Sequence, residues 1–105
     1  MRLKDKVAIV TGGSTGIGYS ICEAYLKEGA NVVIASYSEN EVLKAADTLA
    51  KNYEGKVFGI ACDVKSTSDV KKVVDFTIDK FGKLDILVNN EDLVQFDQDL
   101  VIIGE

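Results

Sequence analysis

"VAIVTGGSTGIG", residues 7–18, joins a short apolar run to a glycine-rich segment. Its first four residues are apolar and mostly β-branched, which is typical of a strand buried on both faces of a parallel sheet. After the glycines, Ile17, Ile21, Ala24 and Tyr25 recur at helical spacing. The glycine-rich loop is therefore predicted to join a buried strand to a helix.

A loop of this kind has two interpretations, a phosphate-binding turn or a purely structural one. Glycine permits positive φ and lets a ligand approach the backbone, and the first-turn N–H groups of the following helix lack internal partners. Such a helix terminus attracts phosphate. Because the glycines at 12, 13, 16 and 18 do not form the commoner G-x-G-x-x-G arrangement, the rest of the chain has to decide between the two.

Composition limits what the chain can be. Its 105 residues suffice for one domain, and 47% hydrophobic residues argue against general disorder. No apolar stretch approaches the roughly 20 residues that span a bilayer, so we expect no membrane segment. The six residues before the first strand leave no room for a signal sequence, which favours a cytoplasmic location.

Charge and residue types exclude several kinds of site. A net charge of −5 with scattered Lys and Arg argues against nucleic-acid binding. The chain has no His, the usual acid/base group near neutral pH and the commonest metal ligand. Cys22 and Cys62 are too far apart for a C-x-x-C pair. We therefore predict no metal site and two ordinary buried thiols.

Strand and helix patterns alternate along the rest of the chain. A second strand is predicted at about residues 31–36, a third within "KVFGIACDV" and a fourth at about residues 84–89. The second helix has Ser38 as N-cap and Glu41 as the partner in a capping box, and Ser66 or Thr67 caps the third helix.

This order of elements predicts an α/β fold with a Rossmann-like, doubly wound parallel sheet. We expect it to be truncated to about four parallel strands and three helices, with room for one extra strand at the C-terminus. Residues 1–90 are predicted to form a dinucleotide-binding half-domain, and residues 91–105 an atypical tail.

The tail carries a compact β-branched run at residues 100–103. About ten residues separate it from the fourth strand, fewer than the dozen or more that a helical parallel crossover usually takes. We therefore predict that this run pairs antiparallel with the fourth strand or with the same edge of a second copy. Either arrangement covers an apolar edge, and the second makes a homodimer through the fourth strand or the tail edge.

Polar or glycine residues follow all four strands, at the sheet edge where such folds bind ligands. Together they resemble the short-chain dehydrogenase/reductase family, in which T-G-x-x-x-G-x-G, an acidic residue after the third strand and N-N-A-G after the fourth recur in this order. Here these are "TGGSTGIG", Asp63 within "ACDV", and Asn89 and Asn90 within "ILVNN". The resemblance covers about residues 2–90.

The resemblance implies a dinucleotide cofactor and a set of residues that bind it. Gly12, Gly16, Ile17 and Gly18 would cradle the pyrophosphate. Asp63 and Val64 would contact adenine, and Asn89 and Asn90 would flank the ribose. The full predicted cofactor-binding set comprises Gly12, Ser14, Thr15, Gly16, Ile17, Gly18, Ser36, Tyr37, Ser38, Asp63, Val64, Asn89 and Asn90.

The end of the second strand bears on the choice of cofactor. An Asp or Glu there would bind the adenosine ribose and repel a 2′-phosphate. The sequence has Ser36, Tyr37 and Ser38 instead, whose hydroxyls can donate to phosphate, so we expect NADP(H). No Arg stands at Thr15 or Tyr37 and Glu39 lies close by, so NAD(H) stays open.

Two departures from the family limit the expected chemistry. Family members carry a later Ser and a Tyr-x-x-x-Lys pair, and no Tyr-x-x-x-Lys occurs in these residues. Asn90 is followed by Glu91 and Asp92 where the family has Ala-Gly. We therefore assign no catalytic residue to this chain.

Three functions remain open at this point. The first is an NAD(P)(H)-binding domain without hydride transfer of its own. The second is an incomplete record, or one component, of an active NADP(H)-dependent carbonyl reductase or alcohol dehydrogenase. The third is a non-enzymatic interaction module that uses the exposed sheet edge.

Overall fold

Strands and helices alternate along the chain in a computed structural model, which describes residues 2–14, 16–89 and 101–104. The strands are β1 (Val7–Thr11), β2 (Asn31–Ser36), β3 (Val57–Ala61), β4 (Ile86–Asn89) and β5 (Val101–Gly104). The helices are α1 (Gly16–Lys27), α2 (Glu39–Ala50) and α3 (Thr67–Phe81).

The strands form one parallel sheet in the order β3-β2-β1-β4-β5. β1 is central, with Ile9 paired to Val33 of β2 on one side and to Leu87 of β4 on the other. The strand order reverses between β1 and β4, as in a doubly wound fold. The predicted Rossmann-like α/β fold is confirmed.

Helices cover both faces of the sheet because side chains alternate along the buried strands. Ala8 and Val10 of β1 belong to the core shared with α1 and α2, whereas Ile9 belongs to the core shared with α3. All five residues of β1 are buried. The apolar run of β1 is thus the centre of both cores.

Local signals set the helix starts as predicted. The Ser38 side chain accepts a hydrogen bond from the Glu41 N–H and caps α2. Ser66, rather than Thr67, caps α3 by accepting from the Asp69 N–H. Gly82 ends α3 with φ of 82°, a left-handed conformation that costs glycine little.

The C-terminal strand lies beside β4 as predicted, but the predicted antiparallel direction was wrong. β5 pairs parallel with β4, with Ile86 opposite Val101 and Asn89 opposite Gly104. The prediction assumed that a parallel connection needs a helix. However, β4 has only four residues and is about 13 Å long, so the chain has to run back only that distance before β5 begins. Eleven residues, 90–100, separate the two strands and can reach about 36 Å.

The position of β5 excludes one of the two predicted ways of forming a homodimer, the one in which a second copy pairs with β4. β5 occupies the free edge of β4, so a second copy cannot pair with that edge. Pairing of two copies through the outer edge of β5 stays a prediction. The predicted domain boundary between residues 90 and 91 also stays a prediction, because it lies outside the described residues.

The amino ends of the central strands are joined by an aspartate. Oδ2 of Asp85 accepts from the Val7 N–H at 2.9 Å, and the Asp85 N–H donates to the Val7 carbonyl at 2.9 Å. Lys83 Nζ lies 3.2 Å from the same Oδ2. This set, which we call the Asp85 clamp, fixes the amino end of β4 beside that of β1.

Candidate dinucleotide-binding site

The loop after β1 turns sharply into α1. Gly12 has φ of 65° and Gly16 has φ of 59°, conformations that L side chains rarely adopt. The Gly12 N–H donates to the Ala35 carbonyl at 2.8 Å, which ties the loop to the carboxyl end of β2. The glycines at these positions are therefore required by the path of the backbone.

Gly18 has a different role, because α1 lies directly against the loop at this point. A Cβ added at Gly18 would collide with the Gly12 carbonyl oxygen and lie 2.8 Å from Gly13 Cα. Gly16 is the opposite case, because an added Cβ would have no atom within 4 Å beyond its chain neighbours and the backbone of its own helix. The loop thus closes onto the helix at Gly18 and leaves open space at Gly16.

The N-terminus of α1 is electrostatically unlike those of the other two helices. Its first turn carries no acidic residue, whereas α2 begins with Glu39 and Glu41, and α3 has Asp69 in its first turn. Acidic side chains compensate the positive end of a helix. α1 lacks that compensation beside an open glycine loop, and this combination suits a phosphate group.

At the end of β2, the structure brings two predicted hydroxyls together and separates the other two. Ser14 Oγ lies 3.1 Å from Ser36 Oγ, and Ser36 is buried. Tyr37 is 77% exposed, and Ser38 accepts the capping hydrogen bond of α2. Ser14 and Ser36, which we call the serine pair, join the loop to the second strand.

The end of β3 is held by hydrogen bonds within its own turn. The Asp63 N–H donates to Asp69 Oδ2 at 3.0 Å, and Asp63 Oδ1 accepts from the Lys65 N–H at 3.0 Å. Val64 is 8% exposed and packs in the core beneath α3. The turn and the core thus hold Asp63 and Val64 in place, and Asp63 Oδ2 takes no part in these two hydrogen bonds.

The remaining predicted residues differ in how far the structure describes them. Asn89 is the last residue of β4 and lies at the carboxyl edge with the others. Ile17 is 64% exposed in the first turn of α1. Thr15 and Asn90 lie outside the described residues.

Sequence reasoning placed Thr11 at this edge without its contact, and it missed one further residue. Thr11 is buried, and its hydroxyl donates to the Val88 carbonyl at 3.3 Å, so it links the ends of β1 and β4. Lys44 of α2 lines a groove together with Ser14. The spacing of Glu41, Lys44, Ala45 and Thr48 on one helix face could have indicated this groove wall.

Cys22 lies under the loop as an unreactive thiol. Burial raises the pKa of Cys22 to about 12, although a backbone hydrogen bond works to lower it. Its Sγ is 3.9 Å from the Gly13 carbonyl oxygen. At neutral pH the side chain is therefore a neutral packing group, in agreement with the sequence interpretation.

In the described part of the chain, no group of three or more His, Cys, Asp or Glu side chains is placed to hold a metal ion. Among the same residues, no helix is long and apolar enough to cross a bilayer.

A known protein family matches most of the chain. The family described as "short chain dehydrogenase" matches residues 6–98. The chain belongs to the short-chain dehydrogenase family. The predicted resemblance is confirmed, and membership of this oxidoreductase family supports a dinucleotide as the ligand class of the glycine loop.

Individual short-chain dehydrogenases align with most of the chain. It is 52% identical over 89 residues to "Dehydrogenase/reductase SDR family member 4" of Caenorhabditis elegans, covering 85% of this chain and 34% of that protein. It is 48% identical over 90 residues to "(+)-borneol dehydrogenase 2" of Salvia officinalis, covering 86% and 31% respectively. The chain thus spans about a third of the length of these curated relatives.

Solved structures of short-chain dehydrogenases and related domains have the same fold. A short-chain dehydrogenase from Mycobacterium smegmatis superposes with a TM-score of 0.80 at 43% identity, over 85% of this chain and 38% of that one. The C-domain of a bacterial malonyl-CoA reductase, described with NADP, gives a TM-score of 0.81 at 30% identity. That match covers 88% of this chain and 15% of the other.

Proposed function

We propose that this chain binds a nicotinamide dinucleotide across the carboxyl ends of β1 to β4, with NADP(H) preferred over NAD(H). The observation that carries the proposal is the loop geometry: α1 closes onto the loop at Gly18 while open space remains at Gly16. A backbone cradle at a helix N-terminus without acidic residues suits a pyrophosphate.

The residue roles in this proposal follow the strand ends. Gly12, Gly16, Ile17 and Gly18 would hold the pyrophosphate through backbone groups. Asp63 and Val64 would contact adenine, and Asn89 and Asn90 would flank the ribose. Ser14, Thr15, Ser36, Tyr37 and Ser38 would surround the adenosine ribose. Family membership and the common edge of the described strand ends support this assignment.

The preference for NADP(H) is supported by the serine pair. A carboxylate at Ser36 would accept from the ribose hydroxyls and repel a 2′-phosphate, whereas a serine hydroxyl can donate to it. The structure of the related bacterial malonyl-CoA reductase domain is described with NADP, which agrees with the NADP(H) preference proposed for this chain. Glu39, exposed at the start of α2, opposes it.

The cofactor, when bound, supplies hydride transfer, and we propose that this chain contributes binding and orientation only. No Tyr-x-x-x-Lys pair occurs in the 105 residues, so proton transfer to a carbonyl oxygen would need groups that they do not supply. The alternative, a component of an active carbonyl reductase or alcohol dehydrogenase, is supported by the family and predicts turnover when the missing residues are provided. A cytoplasmic location and the absence of nucleic-acid binding stay predictions from composition.

The proposal is tested at Gly16 with a matched pair of variants. Gly16→Asp places a carboxylate in the open space, and Gly16→Asn places a neutral group of the same shape; both residues tolerate positive φ better than most. We expect Gly16→Asp to weaken NADPH binding by at least about 30-fold relative to Gly16→Asn, because like charges a few Å apart repel strongly near a surface.

The measurement is the dissociation constant for NADPH and NADH by titration calorimetry, with circular dichroism as the check that both variants fold. Equal NADPH affinities for the two variants would show that the phosphates lie elsewhere. If the unmodified chain binds neither nucleotide, the dinucleotide proposal fails and the interaction module becomes the better explanation.

A further inference from the structure

A groove between α1 and α2 opens beside the serine pair. Its volume is about 400 Å³, and it is lined by Ser14, Tyr19, Glu41, Lys44, Ala45 and Thr48. Ser14 is shared between this groove and the serine pair, because its hydroxyl lies 3.1 Å from that of Ser36. The groove is therefore continuous with the place where an adenosine ribose is proposed to bind.

Lys44 brings a positive charge to this groove. In the described part of the chain the ion pairs join Lys71 to Asp75 and Lys83 to Asp85, so the Lys44 ammonium is not committed to a carboxylate there. Its side chain is exposed, and its flexible four-carbon stem lets the charge move along the groove wall. Lys44 is thus available to a ligand that reaches Ser14.

The serine pair offers a neutral donor but no charge. One hydroxyl hydrogen is used between Ser14 and Ser36, which leaves the other free to donate. A phosphate monoester carries a charge of about −1.5 to −2 at pH 7 and gains most from a cationic donor. Neither serine can supply that, whereas Lys44 can.

We infer that Lys44 is a specificity-determining residue that binds the 2′-phosphate of an NADP-type dinucleotide beside the serine pair. The inference rests on the proposed function and adds the residue that distinguishes the two cofactors. NADH has an uncharged hydroxyl at this position, so the lysine contributes little to its binding. Glu41 lines the same groove and acts in the opposite direction by repelling the phosphate.

The test compares NADPH and NADH affinities in three variants of the full chain. Lys44→Gln removes the cation, Glu41→Gln removes the opposing carboxylate, and Lys51→Gln is the control from the end of the same helix, outside the groove. The cap of α2 survives in Glu41→Gln because it uses the Glu41 backbone N–H.

We expect Lys44→Gln to weaken NADPH binding about tenfold, the range of a charge-assisted hydrogen bond, and to leave NADH binding unchanged. Glu41→Gln should strengthen NADPH binding by about 2- to 3-fold, since charges several Å apart interact weakly in solvent. Added salt should reduce both effects. Lys51→Gln should change neither affinity.

The outcomes separate this inference from the proposed function. If the chain binds NADH and NADPH equally and Lys44→Gln alters neither, the dinucleotide proposal stands and the role of Lys44 is wrong. If Lys44→Gln weakens the binding of NADPH and NADH equally, Lys44 does not determine specificity. The loss of affinity would then come from a general effect on folding or charge. Binding of neither nucleotide by the unmodified chain would overturn both proposals.

Discussion

The two ends of the parallel sheet are built differently. At the amino end, the Asp85 clamp joins β4 to β1 through a side chain, and the N–H groups of Leu3 and Asn31 donate to carbonyl oxygens of neighbouring segments. At the carboxyl end, two glycines with positive φ frame an open space at Gly16. One end is closed by internal hydrogen bonds, and the other presents backbone and hydroxyl groups to a ligand.

The two ends of the sheet also differ in their charged groups. Burial works to raise the pKa of Asp85, but the Val7 N–H and Lys83 outweigh it, so the pKa lies below its ordinary value and the carboxylate stays ionised. At the carboxyl end, the first turn of α1 has no acidic residue. A fixed anion therefore stabilises the closed end, while the first turn of α1 at the open end has none, as the proposed binding of a dinucleotide requires. Stability and binding should be separable by mutation.

The largest effect is expected where the carboxyl end is itself closely packed. Gly18→Ala places a methyl group against the Gly12 carbonyl oxygen and Gly13 Cα, both backbone atoms that cannot rotate away. We expect a loss of about 3 kcal/mol in the free energy of unfolding, at the upper end for overpacking. Urea unfolding followed by circular dichroism measures it.

Gly16→Asn is the control for this prediction, because it adds a side chain two residues away into open space. It should cost only about 1 kcal/mol, because Asn tolerates a positive φ better than most residues and has room for its side chain here. Labelling of the buried Cys22 thiol reports on the loop even if Gly18→Ala is partly unfolded. Similar stability and equal thiol protection in both variants would mean that α1 does not rest on the loop.

A smaller effect is expected at the Asp85 clamp, and it depends on pH. Asp85→Asn keeps an acceptor for the Val7 N–H but removes the charge, so we expect a loss of about 1–2 kcal/mol at pH 7. Asp85 has a lowered pKa in the folded state, so its stabilisation is fully present above the unfolded pKa of about 3.9. The difference between variant and parent should shrink as pH falls through the folded pKa.

Asp75→Asn is the matched control, because its ion pair with Lys71 at 3.0 Å is largely exposed. We expect a change within about 0.5 kcal/mol at any pH. NADPH affinity, measured at pH 7 on folded protein, should be the same in Asp85→Asn and in the parent. A large loss of affinity would show that the clamp controls the binding edge and that the two ends are coupled.

Much of the fold could be predicted because its signals are local. The apolar run of β1, the glycines of the loop and the Ser38 cap each lie within a few residues of the structure that they specify. The predicted second strand coincides with β2 for the same reason. The direction of β5 could not be predicted, since it depends on a pairing with β4 that no local pattern encodes.

The candidate site was predictable in its types of residue and less so in its contacts. Strand ends in a parallel sheet must share an edge, so the sequence placed the polar residues together. It did not show that Ser14 contacts Ser36, 22 positions away, or that Ser38 is used as a helix cap. The Asp85 clamp links residues 78 positions apart and was likewise invisible to local reasoning.

The smallest expected effect lies at the amino end, where α3 finishes before β4. Lys80 Nζ is 5.2 Å from the ring centre of Phe58 and 5.6 Å from that of Phe76. Lys80→Gln removes this cation–π interaction and a favourable charge in the last turn of the helix. We expect a loss of about 0.5–1 kcal/mol in the free energy of unfolding.

A double-mutant cycle with Phe58→Leu separates the two contributions. The part due to the Phe58 ring disappears when Phe58 is absent, whereas the contact with Phe76 and the part due to the helix dipole remain. A coupling of at least about 0.3 kcal/mol therefore assigns that part of the effect to the Phe58 ring. NADPH affinity should not change in Lys80→Gln, because a small loss at the closed end leaves the open end as it was. If Lys80→Gln binds NADPH more weakly than the parent does, stability and binding are not separable, because even the smallest of these perturbations at the closed end would then reach the open end.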